Sequence, residues 1–131
     1  MTTETKKISK HELAQFTGTT QYFNHWTKSL VYTDGVQYVG ANGGYWIIDL
    51  IASYQSEKFI KDNPFQAWKV KPEIVHIDGH STDGFSAVCT DGNNKELIRQ
   101  VGEYTDLDVD IEFYLIADPH HKAVLILTSE Y

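Results

Sequence analysis

Between residues 106 and 113 the chain alternates without a break: Leu107, Val109, Ile111 and Phe113 are interleaved with Asp106, Asp108, Asp110 and Glu112. Only an extended backbone has this period of two, so the pattern predicts a strand with one buried face and one acidic face. From Phe113 to Ile116 the run is apolar at every position, as in a strand covered on both sides. Asp118-Pro-His-His121 then reads as a turn, and Val124 to Leu127 as a last strand paired with the first. A C-terminal antiparallel pair is therefore the anchor of the expected fold.

Upstream the same reasoning yields more strands. Phe65 to Val70 alternates around Trp68, Pro72 is expected to interrupt it, and Glu73 to Ile77 resumes it. Asp78 to Gly84 is expected as a loop. Phe85 to Thr90 and Glu96 to Val101 flank Asp91-Gly-Asn-Asn94, a hairpin loop. Leu30 to Thr33 and Val36 to Val39 are read as a further hairpin about Asp34-Gly35, because a type I′ turn favours Asp-Gly. Thr-Asp-Gly starts at residues 33, 82 and 90, which is reused turn chemistry rather than a repeat.

One segment has the other period. In Tyr45 to Tyr54, residues Ile47, Ile48, Ile51 and Tyr54 form a helical stripe, with Trp46 and Leu50 widening it. This predicts one main buried helix, continuing toward Phe59 and Ile60 and stopping before Pro64. Gly40 to Gly44 reads as a flexible connector. Ser9 and Glu12 have capping-box spacing, predicting a short helix with Leu13 and Phe16 inward. A second helical turn is expected at Tyr22 to Trp26, and residues 1–8 are read as a loose arm before a single domain at 9–131. The whole is an α+β chain with a mostly antiparallel sheet of about six or seven strands.

Charge and composition narrow the partners. The net charge is −7 with ten Lys but one Arg, Arg99, so a broad phosphate-binding face is disfavoured and nucleic acid is an unexpected partner. The chain starts with a polar stretch, and its apolar runs are far shorter than a membrane span, so no membrane association and a cytosolic location are expected. One cysteine, Cys89, allows no internal disulfide, and nothing local activates it. High Tyr and Trp content suits a protein partner or a homo-oligomer.

Several motifs look like one another's company. Phe16-Thr-Gly-Thr19, Tyr32-Thr-Asp-Gly35, Gly44-Tyr-Trp-Ile-Ile-Asp49, Trp68, Asp91-Gly-Asn93, Tyr104-Thr-Asp106 and Ser129-Glu-Tyr131 together resemble a family of small bacterial proteins catalogued as a domain of unknown function. The resemblance spans about residues 13–131, implies one domain, and carries over no activity or catalytic residue. The stretch from Pro72 to Asp83 departs from it, as does Asp108, where a proline is expected.

Three groups of residues are candidates for chemistry. His76, Asp78 and His80, with Asp83 as a further donor, are zinc-ligand types, though Gly79 argues against the helix that would align the two imidazoles. Asp106, Asp108, Asp110 and Glu112 fail as a calcium loop, since Ile111 and Ala117 stand where Gly and Glu are needed, but would attract a basic partner. Asp49, inside an apolar helix, is expected to be buried and bonded to Tyr45 or Ser53, or to form the polar end of a small-ligand pocket with Tyr45 and Trp46. His120 and His121 read as an exposed hairpin tip. No cofactor motif is present. A non-enzymatic binding or regulatory module is the expected function, with a metal-dependent enzyme at His76, Asp78 and His80, or a Tyr/Trp-lined ligand pocket, as alternatives.

Overall fold

The computed structural model describes residues 8–17, 21–120 and 122–131. Seven strands form one sheet in the order β1-β2-β7-β6-β3-β4-β5. They are β1 (Tyr22–Asn24), β2 (Val31–Thr33), β3 (Phe65–Ile77), β4 (His80–Thr90), β5 (Glu96–Gly102), β6 (Ile111–Ala117) and β7 (Ala123–Leu127). Every pairing is antiparallel except β2 with β7. Among the described residues four short α-helices accompany them, α1 (Lys10–Leu13), α2 (Asp34–Val39), α3 (Tyr45–Ser53) and α4 (Glu57–Asp62), with a further helical turn at Thr128–Glu130. This is the α+β class the periodicities require, and the expected β6–β7 pair is present in register from Phe113↔Leu127 to Ala117↔Ala123.

Helix α3 buries Ile47, Ile48 and Ile51 against one sheet face, on which Trp68, Val70, Ala87, Cys89, Phe113, Leu115 and Leu125 are also buried. Each large apolar side chain removed from water there contributes about 1.5–3 kcal/mol, which outweighs the modest helix propensity of three isoleucines. Trp46 packs on Phe85 with ring centroids 4.6 Å apart, and Tyr54 on Trp68 at 5.9 Å.

The structure corrects the expected elements in several places. Asp34-Gly35 is not a hairpin turn: neither residue has positive φ, and both open α2. Thr33 caps that helix, accepting the Val36 N–H at 3.4 Å, and Val36 and Val39, three apart, are fully buried. Gly35 serves close approach instead, because a Cβ there would collide with the Glu130 carboxylate and a Leu127 methyl. The type I′ geometry occurs at Asp78-Gly79, with φ of 50° and 80°, so a two-residue turn replaces the expected loop and β4 starts at His80. Tyr22 to Asn24 is an edge strand rather than a helical turn, since Phe23 stacks on Tyr32 of β2 at 5.6 Å.

Strand β3 runs through Pro72 unbroken. Its pairing with β6 ends at Val70, so at Pro72 only β4 is a neighbour, and a missing donor is tolerated. Gly40 to Gly44 is a tight helical kink between α2 and α3, not a loose connector; Gly43 supplies φ 96° and the Asn42 side chain donates to the Tyr38 carbonyl at 2.7 Å. Helix α3 stops before α4 because Gln55 turns inward, pairing its amide reciprocally with Gln66 at 2.8 and 2.9 Å, while Ser56 caps α4. Ile8, assigned by sequence to the arm, is buried in the core. The rest of the arm, residues 18–20 of the expected Phe16–Thr19 motif region, and His121 lie outside the described residues. No described helix is long and apolar enough to cross a membrane.

Candidate functional site

Asp49 has different company from that expected. Its side chain is 50% exposed rather than buried. Its Oδ1 lies 2.7 Å from His25 Nε2 and accepts the Trp26 indole N–H at 3.0 Å. The His25 hydrogen bond, ahead of the opposing effect of burial, holds the Asp49 carboxyl below its ordinary range. His25 itself is buried, and its Nδ1 accepts the Thr27 N–H at 3.2 Å with the Thr27 hydroxyl at 2.7 Å. That leaves the ring hydrogen on Nε2, donated to Asp49. Both ring nitrogens are thus occupied, so the arrangement is a clamp between α3 and the segment after β1.

Tyr45 and Ser53 do not bond Asp49. The Tyr45 hydroxyl accepts from Gln37 at 2.8 Å, and Ser53 donates to the Leu50 carbonyl at 2.6 Å. Burial first, then the nearby Tyr45 and Asp49 oxygens, raises the Tyr32 pKa. Trp46 turns the other way, onto Phe85. Asp49 is therefore gathered with His25 and Trp26, not with Trp46. The exposed Trp26 borders a cavity of about 580 Å³ with Lys28, His120 and Lys122.

The other candidates are dispersed. Registers His76↔Ser81 and Ile77↔His80 put His76 and His80 on opposite faces of the β3–β4 ribbon. His76 Nδ1 lies 2.9 Å from the Ser81 hydroxyl, and Asp78 occupies the turn. No group of three or more His, Cys, Asp or Glu is placed to hold a metal among the described residues. Asp106, Asp108 and Asp110 precede β6 in an irregular segment, not a paired strand. The alternation still holds there: these three and Glu112 are exposed while Leu107 and Val109 are half-buried. Asp110 lies 3.8 Å from Lys69. Cys89 is fully buried, and burial pushes its thiol up to about 12.

The sheet's other face carries a groove that no single motif announces. Strand alternation places Phe65, Ala67, Lys69, Lys71, Ser86, Val88, Arg99, Glu112 and Tyr114 away from α3. They line a cavity of about 780 Å³. One wall is aromatic, with the Phe65 and Tyr114 rings 5.1 Å apart, and Tyr131 backs Tyr114 at the same separation. In one row across the sheet stand Lys69, Val88 and Arg99; in the next, Lys71, Ser86 and Val101. Ser86 is fully buried and its Oγ has no hydrogen-bond partner among the described residues. A buried hydroxyl left so costs roughly 1–3 kcal/mol, which invites an explanation. The visible sequence signal is Lys69 and Lys71 alternating with Trp68 and Val70; Ser86 and Arg99 are distant in sequence and joined only by pairing.

Two of the quoted motifs also meet. The Glu130 carboxylate accepts from the Thr33 hydroxyl at 2.6 Å, from the Leu127 N–H at 2.9 Å and from the Gly35 N–H at 3.3 Å, closing the chain's last turn onto the start of α2.

No curated protein and no solved structure matches this chain. Residues 7–131 match the sequence profile described as "Family of unknown function (DUF6876)", and the chain belongs to that family.

Proposed function

We propose that this protein is a non-enzymatic binding module whose ligand lies in the groove on the uncovered sheet face. The observation that carries this reading is Ser86: a buried hydroxyl without a partner, lining the roomiest of the cavities described above. A ligand acceptor or donor reaching it would remove the cost of leaving it unsatisfied. The aromatic wall supports the same reading, because Phe65 and Tyr114, backed by Tyr131, offer rigid apolar surface with little rotamer entropy to lose. Both His25 ring nitrogens are hydrogen-bonded within the protein, so that cluster reads as a clamp rather than as the ligand site.

The test is a thermal-shift screen with metabolite-sized organic acids, sugars, nucleotides and amino acids. A compound that binds the folded chain raises its melting temperature. The expected result is a saturable rise in the native chain that is lost in Val88→Glu, which puts a longer, charged side chain on the groove floor. Stabilisation undiminished in Val88→Glu, or none with any compound, contradicts the reading.

A further inference from the structure

Resting on that reading, we infer that the groove selects a small organic anion with a planar apolar body. The chain carries a net charge of −7, yet three of its eleven basic residues, Lys69, Lys71 and Arg99, border this one groove against a single lining carboxylate, Glu112. Their placement is ordered by the strand register. Lys71 is directly across from Ser86, while Lys69 and Arg99 flank Val88 in the adjacent row of the same face. Neighbouring strands are about 4.8 Å apart, so Lys71 starts one strand from Ser86, and Lys69 and Arg99 start in the adjacent row on either side of Val88.

Not all this charge is neutralised within the protein. Arg99 is bonded to Glu96 at 2.6 Å and also feels the Glu73 carboxylate, and Lys69 is only loosely paired with Asp110 at 3.8 Å. Lys71 has no ion pair among the described residues. Glu112 pairs in register with Lys69 on the side away from Arg99, which puts it two strands from Ser86 but diagonal to Lys71 on the same face. An anionic head group accepting the Ser86 O–H would meet Lys71, the direct cross-strand neighbour of Ser86 on β3, before the more distant Glu112. From that point the apolar surface of Val88 and Ala67 leads toward Phe65 and Tyr114, which suits a flat apolar body rather than a bare inorganic ion. A carboxylate, sulfonate or phosphate satisfies the head-group chemistry equally, and the ring supplies the remaining contact.

The probes are 8-anilinonaphthalene-1-sulfonate and its uncharged relative N-phenyl-1-naphthylamine, both of which fluoresce in apolar surroundings. The sulfonate is expected to saturate at one site per chain, at least tenfold more tightly than the neutral probe, and to weaken as salt is raised. Lys71→Gln and Arg99→Gln, both at exposed or half-exposed positions, should each weaken the sulfonate severalfold and leave the neutral probe unchanged. Val88→Glu should weaken both. Equal affinity for the two probes, with no effect of Lys71→Gln or Arg99→Gln, would overturn the anion inference while leaving a groove that binds. Failure of either probe to bind, or binding untouched by Val88→Glu, would remove the groove reading itself. Unchanged melting of the two glutamine variants establishes that the fold is intact.

Discussion

Asp49 Oδ1 stands 2.7 Å from His25 Nε2, joining the middle of α3 to the segment after β1 across 24 residues of sequence. The bond makes the carboxylate a structural group and fixes the exposed Trp26 ring through a second hydrogen bond to the same oxygen. Removing Asp49 leaves the buried His25 Nε2 without its acceptor, whereas removing His25 leaves Asp49 its Trp26 bond and solvent. His25→Ala takes away a buried side chain as well, so it is expected to cost about 2–4 kcal/mol in chemical denaturation. Asp49→Asn, half exposed, should cost less, on the order of 1 kcal/mol.

The same pair sets a pH dependence. Asp49 has a folded-state pKa below its ordinary value of 3.8, so its contribution is fully present above that value and is lost as the pH falls through it toward the lower folded value. Denaturation midpoints measured from pH 6 down to pH 2 should therefore fall less steeply in Asp49→Asn than in the native chain. Parallel curves would refute the assignment.

Glu130 gathers the Thr33 hydroxyl and the Gly35 and Leu127 amides at the start of α2. Thr33 is fully buried, so Glu130→Ala strands a buried hydroxyl and removes charge-assisted bonds; a loss of about 2–4 kcal/mol is expected. Glu130→Gln keeps the shape and an acceptor, and should recover part of it. Equal melting of Glu130→Ala and the native protein would contradict this role for the last turn.

Ser86→Ala separates stability from binding. It removes the unsatisfied hydroxyl without opening a large cavity, so the free protein should gain up to about 1 kcal/mol. The same change should weaken the naphthalene sulfonate. A variant both less stable and unimpaired in binding would show that the hydroxyl has a different purpose.

Cys89 should be inert. Burial raises its thiol to about 12, so at pH 8 almost none is thiolate, and the residue is fully enclosed. Dithionitrobenzoate should react only at the rate of unfolding and accelerate with denaturant. Rapid reaction in native buffer would contradict the packing of β4.

What the amino-acid order makes legible follows from which forces are local. The alternation around Phe113 and the stripe Ile47–Ile48–Ile51 place residues on a buried face whatever else happens, and both reappear in the structure. Asp-Gly is a weaker signal, because the same dipeptide suits a type I′ turn at Asp78-Gly79 and a helix start at Asp34-Gly35. Glu130, 95 residues from Gly35, is part of what distinguishes the two sites. Pro72 was legible as a defect but not as one that an unpaired flank absorbs. The partners of Asp49 were hidden for the same reason: His25 and Trp26 reach it through tertiary packing that no spacing records. The groove was least visible, since its residues come from four strands brought together by pairing.

The central claim is tested most directly by amide chemical-shift mapping of the ¹⁵N-labelled protein titrated with 8-anilinonaphthalene-1-sulfonate. The largest shifts are predicted at Ala67 to Lys71, Ser86 to Thr90 and Arg99. Shifts centred instead on Trp26, Lys28 and His120, or an unchanged spectrum at saturating probe, would contradict it.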